Sequence, residues 1–384
     1  MKKKYNIMSL ITVGTACTAL TLVCIIGVLI SRFGGMEGIS ASLKYAQVRQ
    51  IIKKYYIGEI DPDIMESMTF TGMIASLEDN WSYYMTAEQY DAYNRYSENQ
   101  YAGIGVSITQ HEESQGLLII GVTEDSPADI AGIKTGDIIV SVDDEDVVGM
   151  TVNEVREIIQ SKLGGEMTLG LIGEEDASRE VTVNCELIYK EPVSYKLLED
   201  EIGYIDIDNF ENGSGNGAVA AVEELISEGA KGIVFDVRNN PGGKVTQLME
   251  ILDYLLPEGE LFITRSKTGD EKVEISDAEC VEIPIAVLVN ARSYSAAEFF
   301  AAALSEFEWA TVIGEQTTGK GRSQVTLELE DGSAVHISNN VYLTPNRIDL
   351  SEQGGLTPDI EIEQMDEGDA QLDKAADFMR KSLS

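Results

Sequence analysis

A chain of 384 residues, 43% of them hydrophobic, can bury a sizeable core, and at one domain per about 100 to 200 residues it predicts two or three domains. Its 28 lysines and arginines stand against 66 aspartates and glutamates; the net charge of −38 repels nucleic acid and anionic lipid surfaces and excludes a nucleic-acid partner. Of the four cysteines, Cys17 and Cys24 lie in an apolar N-terminal run, and Cys185 and Cys280 are too few to make a disulfide framework, so both read as small core residues.

Residues 7–30, IMSLITVGTACTALTLVCIIGVLI, carry no charge, and as a helix they would cross a hydrocarbon core of about 30 Å. This apolar run is longer than that of a cleaved signal peptide and lacks a clear small-residue cleavage site. Lys2, Lys3 and Lys4 precede it and only Arg32 follows closely. The positive-inside bias therefore predicts a cytoplasmic tail over 1–6, a single-pass signal anchor over 7–30, and the remainder on the extracytoplasmic side of the cell membrane.

Residues 31–100 read as a linker and a helical region. Ile39, Leu43, Val48, Ile51, Ile52 and Tyr55 recur at near-helical spacing until Asp61-Pro62 breaks the pattern. TGMIASLEDNWSYYMT and AEQYDAYNRYSE follow, and their tyrosines read as an amphipathic packing surface.

Over 101–186 short β-type runs surround a Ser-Pro-Ala helix start, a Gly-Asp turn and a helix from about Thr151 to Lys162. The ordered set YAGIGVSI, SPADIAGIKTGDIIVSVDD and this helix resembles a PDZ domain. Such a domain adds an extended peptide to an open sheet edge and captures its C-terminal carboxylate on backbone N–H groups. The resemblance implies a peptide site made by Gly103, Ile104, Gly105 and Val106. Val152, Val155 and Ile159 share one helical face and are expected to line a pocket for an apolar terminal side chain.

Over 187–365 apolar β runs alternate with helices: EIGYIDIDNF, GAVAAVEELISEG, KGIVFDVRNNPGG, VTQLMEILDYLLP, IPIAVLVN and SAAEFFAAALSE. This predicts an α/β domain. DIDNFENGSG is not a calcium loop, because Glu211 stands where such a loop needs glycine. Residues 366–384 predict a C-terminal helix with Leu372, Ala375, Ala376 and Met379 on one face, suited to docking on its own core or to a homodimer.

Only two histidines are present, His111 and His336, and His336 alternates with apolar neighbours as a solvent-facing strand residue would. There is no HExxH and no cysteine/histidine cluster, so neither metal nor cofactor is expected. Ser295 and Lys320 remain as candidates, since a neutral lysine can activate a serine. Such a lysine needs an apolar pocket that lowers its pKa from about 10.4 towards 7 or 8, at about 1.36 kcal/mol per unit. Two plainer readings compete: Ser295-Ala-Ala-Glu298 is also a capping box, and Lys320 between two glycines is also a turn lysine. The geometries coincide, because a serine at a strand-to-helix junction stands beside the unpaired N–H of Ala296.

NARSYSAAEFFAAAL, TTGKGRSQ, FDVRNNPGG and GGLTPDI, in this order, are similar to the motifs of the C-terminal processing peptidases, or tail-specific proteases. The similarity runs from about residue 40 to 362. It implies a crotonase-like serine protease core with an inserted PDZ domain, cutting exported proteins recognised by a free C-terminal tail. Carried over by position, Ser295 is the nucleophile, Lys320 the general base and Gln324 the residue that holds the lysine. Ala296 and one of Gly242 and Gly243 would supply the oxyanion hole. Ala297 and Thr318 depart from the family pattern, Thr318 standing where an aromatic residue is frequent. Ser293 is a nearby rival nucleophile, disfavoured by the spacing. A noncatalytic peptide receptor on a protease-like scaffold is the alternative.

Overall fold

The computed structural model describes residues 7–111, 116–173, 177–365 and 368–383, in two compact units, 1–70 and 71–384. The first unit holds α1 (Ile7–Arg32), α2 (Gly35–Tyr55) and the start of α3 (Pro62–Ala75). The apolar stretch of α1 is long enough to cross a membrane. Asp61 caps α3, its Oδ1 accepting the Asp63 and Ile64 N–H groups at 2.9 and 3.1 Å, and no described residue of α2 or α3 is buried.

The second unit begins with β1 (Tyr83–Met85) and α4 (Ala87–Ser97), whose N-terminus carries a reciprocal Thr86/Gln89 capping box. The PDZ-like part follows: β2 (Gln100–Gly103), β3 (Val106–Gln110), β4 (Leu117–Val122), α5 (Pro127–Ile130), β5 (Ile138–Val142), β6 (Glu145–Asp146), α6 (Val152–Gln160), β7 (Glu166–Ile172), β8 (Ser178–Asn184) and β9 (Glu186–Tyr189). Its antiparallel sheet runs β3-β4-β5-β7-β8 around its own core of Leu117, Ile119, Ile139, Val155 and Leu169. Strands β2 and β9 pair only with each other and carry the chain into and out of this part.

The remaining elements are β10 (Val193–Leu197), β11 (Ile202–Ile207), α7 (Ser214–Ser227), β12 (Gly232–Asp236), α8 (Val245–Leu255), β13 (Gly259–Ser266), β14 (Glu271–Ser276), β15 (Ile285–Val289), α9 (Ala296–Glu306), β16 (Ala310–Gly314), β17 (Arg322–Glu328), β18 (Ala334–Leu343), α10 (Leu350–Gln353), β19 (Ile360–Glu361) and α11 (Ala370–Ser382). The central sheet has the order β10-β11-β12-β15-β16-β19, parallel from β11 onwards. Strands β12 and β15 are buried at every position, as parallel strands covered on both faces are. On one face lie α7, α8 and α9; Phe299, Phe300 and Leu304 of α9 pack with Phe210, Phe235 and Leu248. On the other, Ala375, Ala376 and Met379 of α11 meet Val234, Ala286 and Leu288, so the C-terminal helix docks on its own sheet. A second, antiparallel sheet, β1-β18-β13-β14 with β17 on β18, flanks α9.

Because β12 and β15 are parallel neighbours, the loops leaving their carboxyl ends emerge side by side, the usual place for a site in an open α/β sheet. The Asn239 N–H bonds Asn290 Oδ1 at 3.0 Å, and the Tyr294 N–H bonds the Asn240 carbonyl at 3.1 Å.

Candidate active site

Ser295 closes the loop after β15 and starts α9 with φ 57° and ψ −125°. A non-glycine residue in this sparsely populated region carries about 1–3 kcal/mol of strain. Its hydroxyl makes no cap hydrogen bond. The capping work falls to the backbone and to Glu298, whose Oε2 accepts the Ser295 N–H at 2.9 Å while the Glu298 N–H bonds the Ser295 carbonyl at 2.8 Å. Ser293, the rival, is fully buried and donates its hydroxyl to the Val237 carbonyl at 2.7 Å.

The Gly242-Gly243 turn lies against this elbow. A Cβ on Gly242 would stand 2.8 Å from both the Ala296 nitrogen and the Ser295 Cβ, and one on Gly243 would stand 2.3 Å from the Phe210 carbonyl. Both positions, at φ 85° and 154°, require glycine. The Gly242 N–H is taken by Asn240 Oδ1 at 2.8 Å. The N–H groups of Gly243 and Ala296 have no acceptor among the described residues.

Lys320 lies on the loop between β16 and β17, and Glu298 fixes that loop as well. The buried carboxylate accepts the Gly319 N–H at 2.7 Å, the Lys320 N–H at 2.8 Å and the Thr317 hydroxyl at 2.5 Å. The Lys320 Nζ sits 4.6 Å from the Trp81 ring centroid and 5.7 Å from that of Tyr294. These two rings supply the apolar surface that Thr318 does not; the Thr318 hydroxyl turns to the Ala291 carbonyl at 2.9 Å. Burial pushes the amine below its ordinary pKa, against the carboxylates of Asp79, Glu298 and Glu211, which favour the ammonium. Its Nζ makes no hydrogen bond to Ser295 among the described residues.

Ser295, Lys320, Gln324, Gly242 and Gly243 line one cavity of about 780 Å³. Gln324 faces it with no hydrogen bond to Lys320 among the described residues. The β17–β18 register shifts at Ser323/Gln324, placing Gln324 opposite Ser338, and its amide nitrogen donates to the Ser338 hydroxyl at 3.2 Å and the Arg322 carbonyl at 2.9 Å.

His336 is not solvent-facing. Strand β1 pairs with β18 edge to edge, setting Tyr83 beside His336 with the rings stacked 4.7 Å apart, and the Tyr93 ring of α4 packs on it at 5.6 Å. Only 9% exposed, His336 shares a 2.8 Å hydrogen bond with the Thr326 hydroxyl, and burial lowers its pKa to about 4. The tyrosine-rich segment is likewise more than packing: Tyr83, Tyr93, Tyr96 and Ser97 line the cavity. Glu211 joins them, its pKa raised by burial and its Oε2 accepting the Ser97 hydroxyl at 3.0 Å. Lys244 completes this wall, donating to Asn212 Oδ1 at 2.6 Å. Sequence reading missed Trp81, Glu211 and Lys244; an isolated aromatic or charge carries no signal until the fold brings it to the cavity, as for Glu211 and Lys244, or against Lys320, as for Trp81.

A second cavity, of about 370 Å³, opens between β3 and α6 and is lined by Gly103, Ile104, Val106 and Ile159. Val155 does not line it. Fully buried, it faces the core of the PDZ-like part, with Val152 packed at the edge of that core, and α6 presents Arg156, Ile159 and Gln160 to the groove instead. Gly105, at φ 87°, is placed so that a Cβ would meet the Ser126 side chain at 2.2 Å. The Ile104 and Gly105 carbonyls accept from Ala128 and Thr123 at 2.8 Å, whereas their N–H groups have no acceptor among the described residues.

Comparison with known proteins gives the family. Residues 201–362 match the model of peptidase family S41, and residues 118–172 match a PDZ domain. The chain is 33% identical over 318 residues to the carboxy-terminal processing protease CtpA of Bacillus subtilis (strain 168), covering 82% of this chain and 67% of that protein. It is 30% identical over 324 residues to a probable CtpA-like serine protease of Staphylococcus aureus (strain COL), covering 83% and 64%. The chain thus spans about two thirds of the length of these relatives. A putative S41 protease from Bacteroides fragilis NCTC 9343 shares the fold at a TM-score of 0.56 and 15% identity, over 85% of this chain and 93% of that one. A photosystem II D1 C-terminal processing protease does so at 0.50 and 24%, over 83% and 86%. With one match over the parallel-sheet core, another over the five-stranded part, and identity extending across both, the chain belongs to the carboxy-terminal processing serine proteases of peptidase family S41.

Proposed function

We propose that this protein is a serine endopeptidase, anchored by α1 with its catalytic part on the extracytoplasmic side, that recognises the C-terminal tails of exported proteins through its PDZ domain. Ser295 attacks the scissile carbonyl. Neutral Lys320 takes the hydroxyl proton and returns it to the leaving amine, and water then cleaves the acyl-enzyme by the same path. The N–H groups of Ala296 and Gly243 receive the developing oxyanion; one such donor is commonly worth about 10²–10³ in rate. Domain limits of 101–186 for the PDZ domain and 187–365 for a crotonase-like core suit this division of work.

The observation that carries the reading is the elbow: a strained serine with an uncommitted hydroxyl, beside two unpaired N–H groups, in one cavity with a desolvated lysine. Lys320 must leave the Trp81 ring to reach Ser295, and Gln324 must turn from Ser338 to support it there. The N–H groups of Ile104 and Gly105 suit a terminal carboxylate. The unburied α2 and α3 suit a homodimer, which light scattering tests.

The test compares full-length wild type with Ser295→Ala on an unfolded reporter ending in a free apolar carboxyl terminus and on the same reporter amidated. Cleavage by wild type alone, faster on the free carboxylate, is expected. Tail binding without cleavage by either protein would favour the noncatalytic receptor.

A further inference from the structure

The surroundings of Lys320 contain more than the proposed reaction uses. Its Nζ stands over the face of Trp81, whose ring centroid is 5.6 Å from that of Tyr294 with the planes tilted by 32°. Trp81 is held in place: its backbone N–H bonds Asp79 Oδ1 at 3.1 Å, Ser82 bonds Asp79 Oδ2 at 2.5 Å, and the Ser338 N–H of β18 bonds the Ser82 hydroxyl at 2.9 Å. The charged and titratable groups around Lys320 are the carboxylates of Asp79, Glu211 and Glu298, the Tyr294 phenol and the His336 ring. Arg322 and Lys244 also line the cavity.

We propose that Trp81 is a positioning residue for Lys320: its indole face, with Tyr294 beside it, holds the ammonium form away from Ser295 and sets the pH at which the amine is released to act as base. This rests on Lys320 being the general base. A ring face attracts the cation and not the neutral amine, and the contact favours protonation by a factor of about two to thirty. A tenfold factor is one step on the pH scale, so losing the face lowers the pH at which activity rises by roughly 0.4 to 1.5. Trp81→Leu removes the π face while keeping an apolar surface, and Trp81→Phe keeps a weaker face.

The experiment measures kcat/KM of the full-length chain, wild type, Trp81→Leu, Trp81→Phe and Lys320→Met, on a short tail-less peptide across the range in which lysine amines titrate. The rise in activity is expected at lower pH in the leucine variant and at an intermediate pH in the phenylalanine variant, whose similar shape keeps the test usable should leucine not fold. A rise at unchanged pH, with only the plateau reduced, would overturn the proposal and leave Trp81 as packing. Wild-type activity in Lys320→Met would remove Lys320 as the base, and the two failures are therefore told apart.

Discussion

Glu298 ties the turn of Ser295 to the loop of Lys320. Its two oxygens accept four hydrogen bonds, from Ser295, Thr317, Gly319 and Lys320, and the side chain is fully buried. Every partner is a donor, so Glu298→Gln must set an amide N–H₂ against at least one of them. Buried charge-assisted bonds are worth about 1.5–3 kcal/mol each, and the substitution is expected to destabilise by roughly that much. Activity should fall with it by tenfold or more, because both loops lose their common anchor; thermal melting and kcat/KM report the two, and unchanged values in both would refute the role. From sequence, Glu298 read only as the far end of a capping box. That reading had the right local bond, Ser295 N–H to Glu298, and missed the loop from beyond β16, which no pattern of three or four residues can contain. His336 failed for a related reason: alternation identifies a strand, but only the rings packed against it, Tyr83 and Tyr93, decide which face is wet.

Among the elements, the alternating runs from Ile202 onwards were legible because buried parallel strands and Ala-rich helices differ in both period and composition. The three-residue β1 was not, although it closes the cavity wall. The β2–β9 pair joins the two parts of the second unit through side chains that also defied reading. Asn99, buried and at φ 52°, accepts the Lys190 N–H on its carbonyl at 2.8 Å and the Asn209 amide on its Oδ1 at 2.8 Å. Asn209 Oδ1 accepts the Glu211 N–H at 2.8 Å, and Phe210 between them bonds both Gly242 and Lys244. A chain of hydrogen bonds thus runs from the exit of the PDZ domain to the glycine turn beside Ser295. Asn209→Ala leaves buried partners unpaired, at about 1–3 kcal/mol. It is expected to shrink the preference for a free over an amidated reporter tail more than it slows cleavage of a short tail-less peptide. An unchanged preference would mean that this chain of bonds is structural only.

For the whole molecule, ordered motifs identified both the protease family and its PDZ domain. What they left out was the wall of the site, assembled from α4, β1, β18 and the loop before α7, segments far apart in the chain. The elbow at Ser295 bears on the molecule as a whole. A glycine there would relieve about 1–3 kcal/mol of backbone strain and cost roughly 0.4–1 kcal/mol in added freedom of the unfolded chain, for a net gain near 1 kcal/mol. Ser295→Gly is therefore expected to melt at a higher temperature than Ser295→Ala, which keeps the strain and, on the proposed mechanism, is equally inactive; equal melting temperatures would show that the elbow is relaxed. Released from selection for cutting peptides, a lineage of this protein would have an easy step towards a sturdier fold, and its first casualty would be the proposed nucleophile.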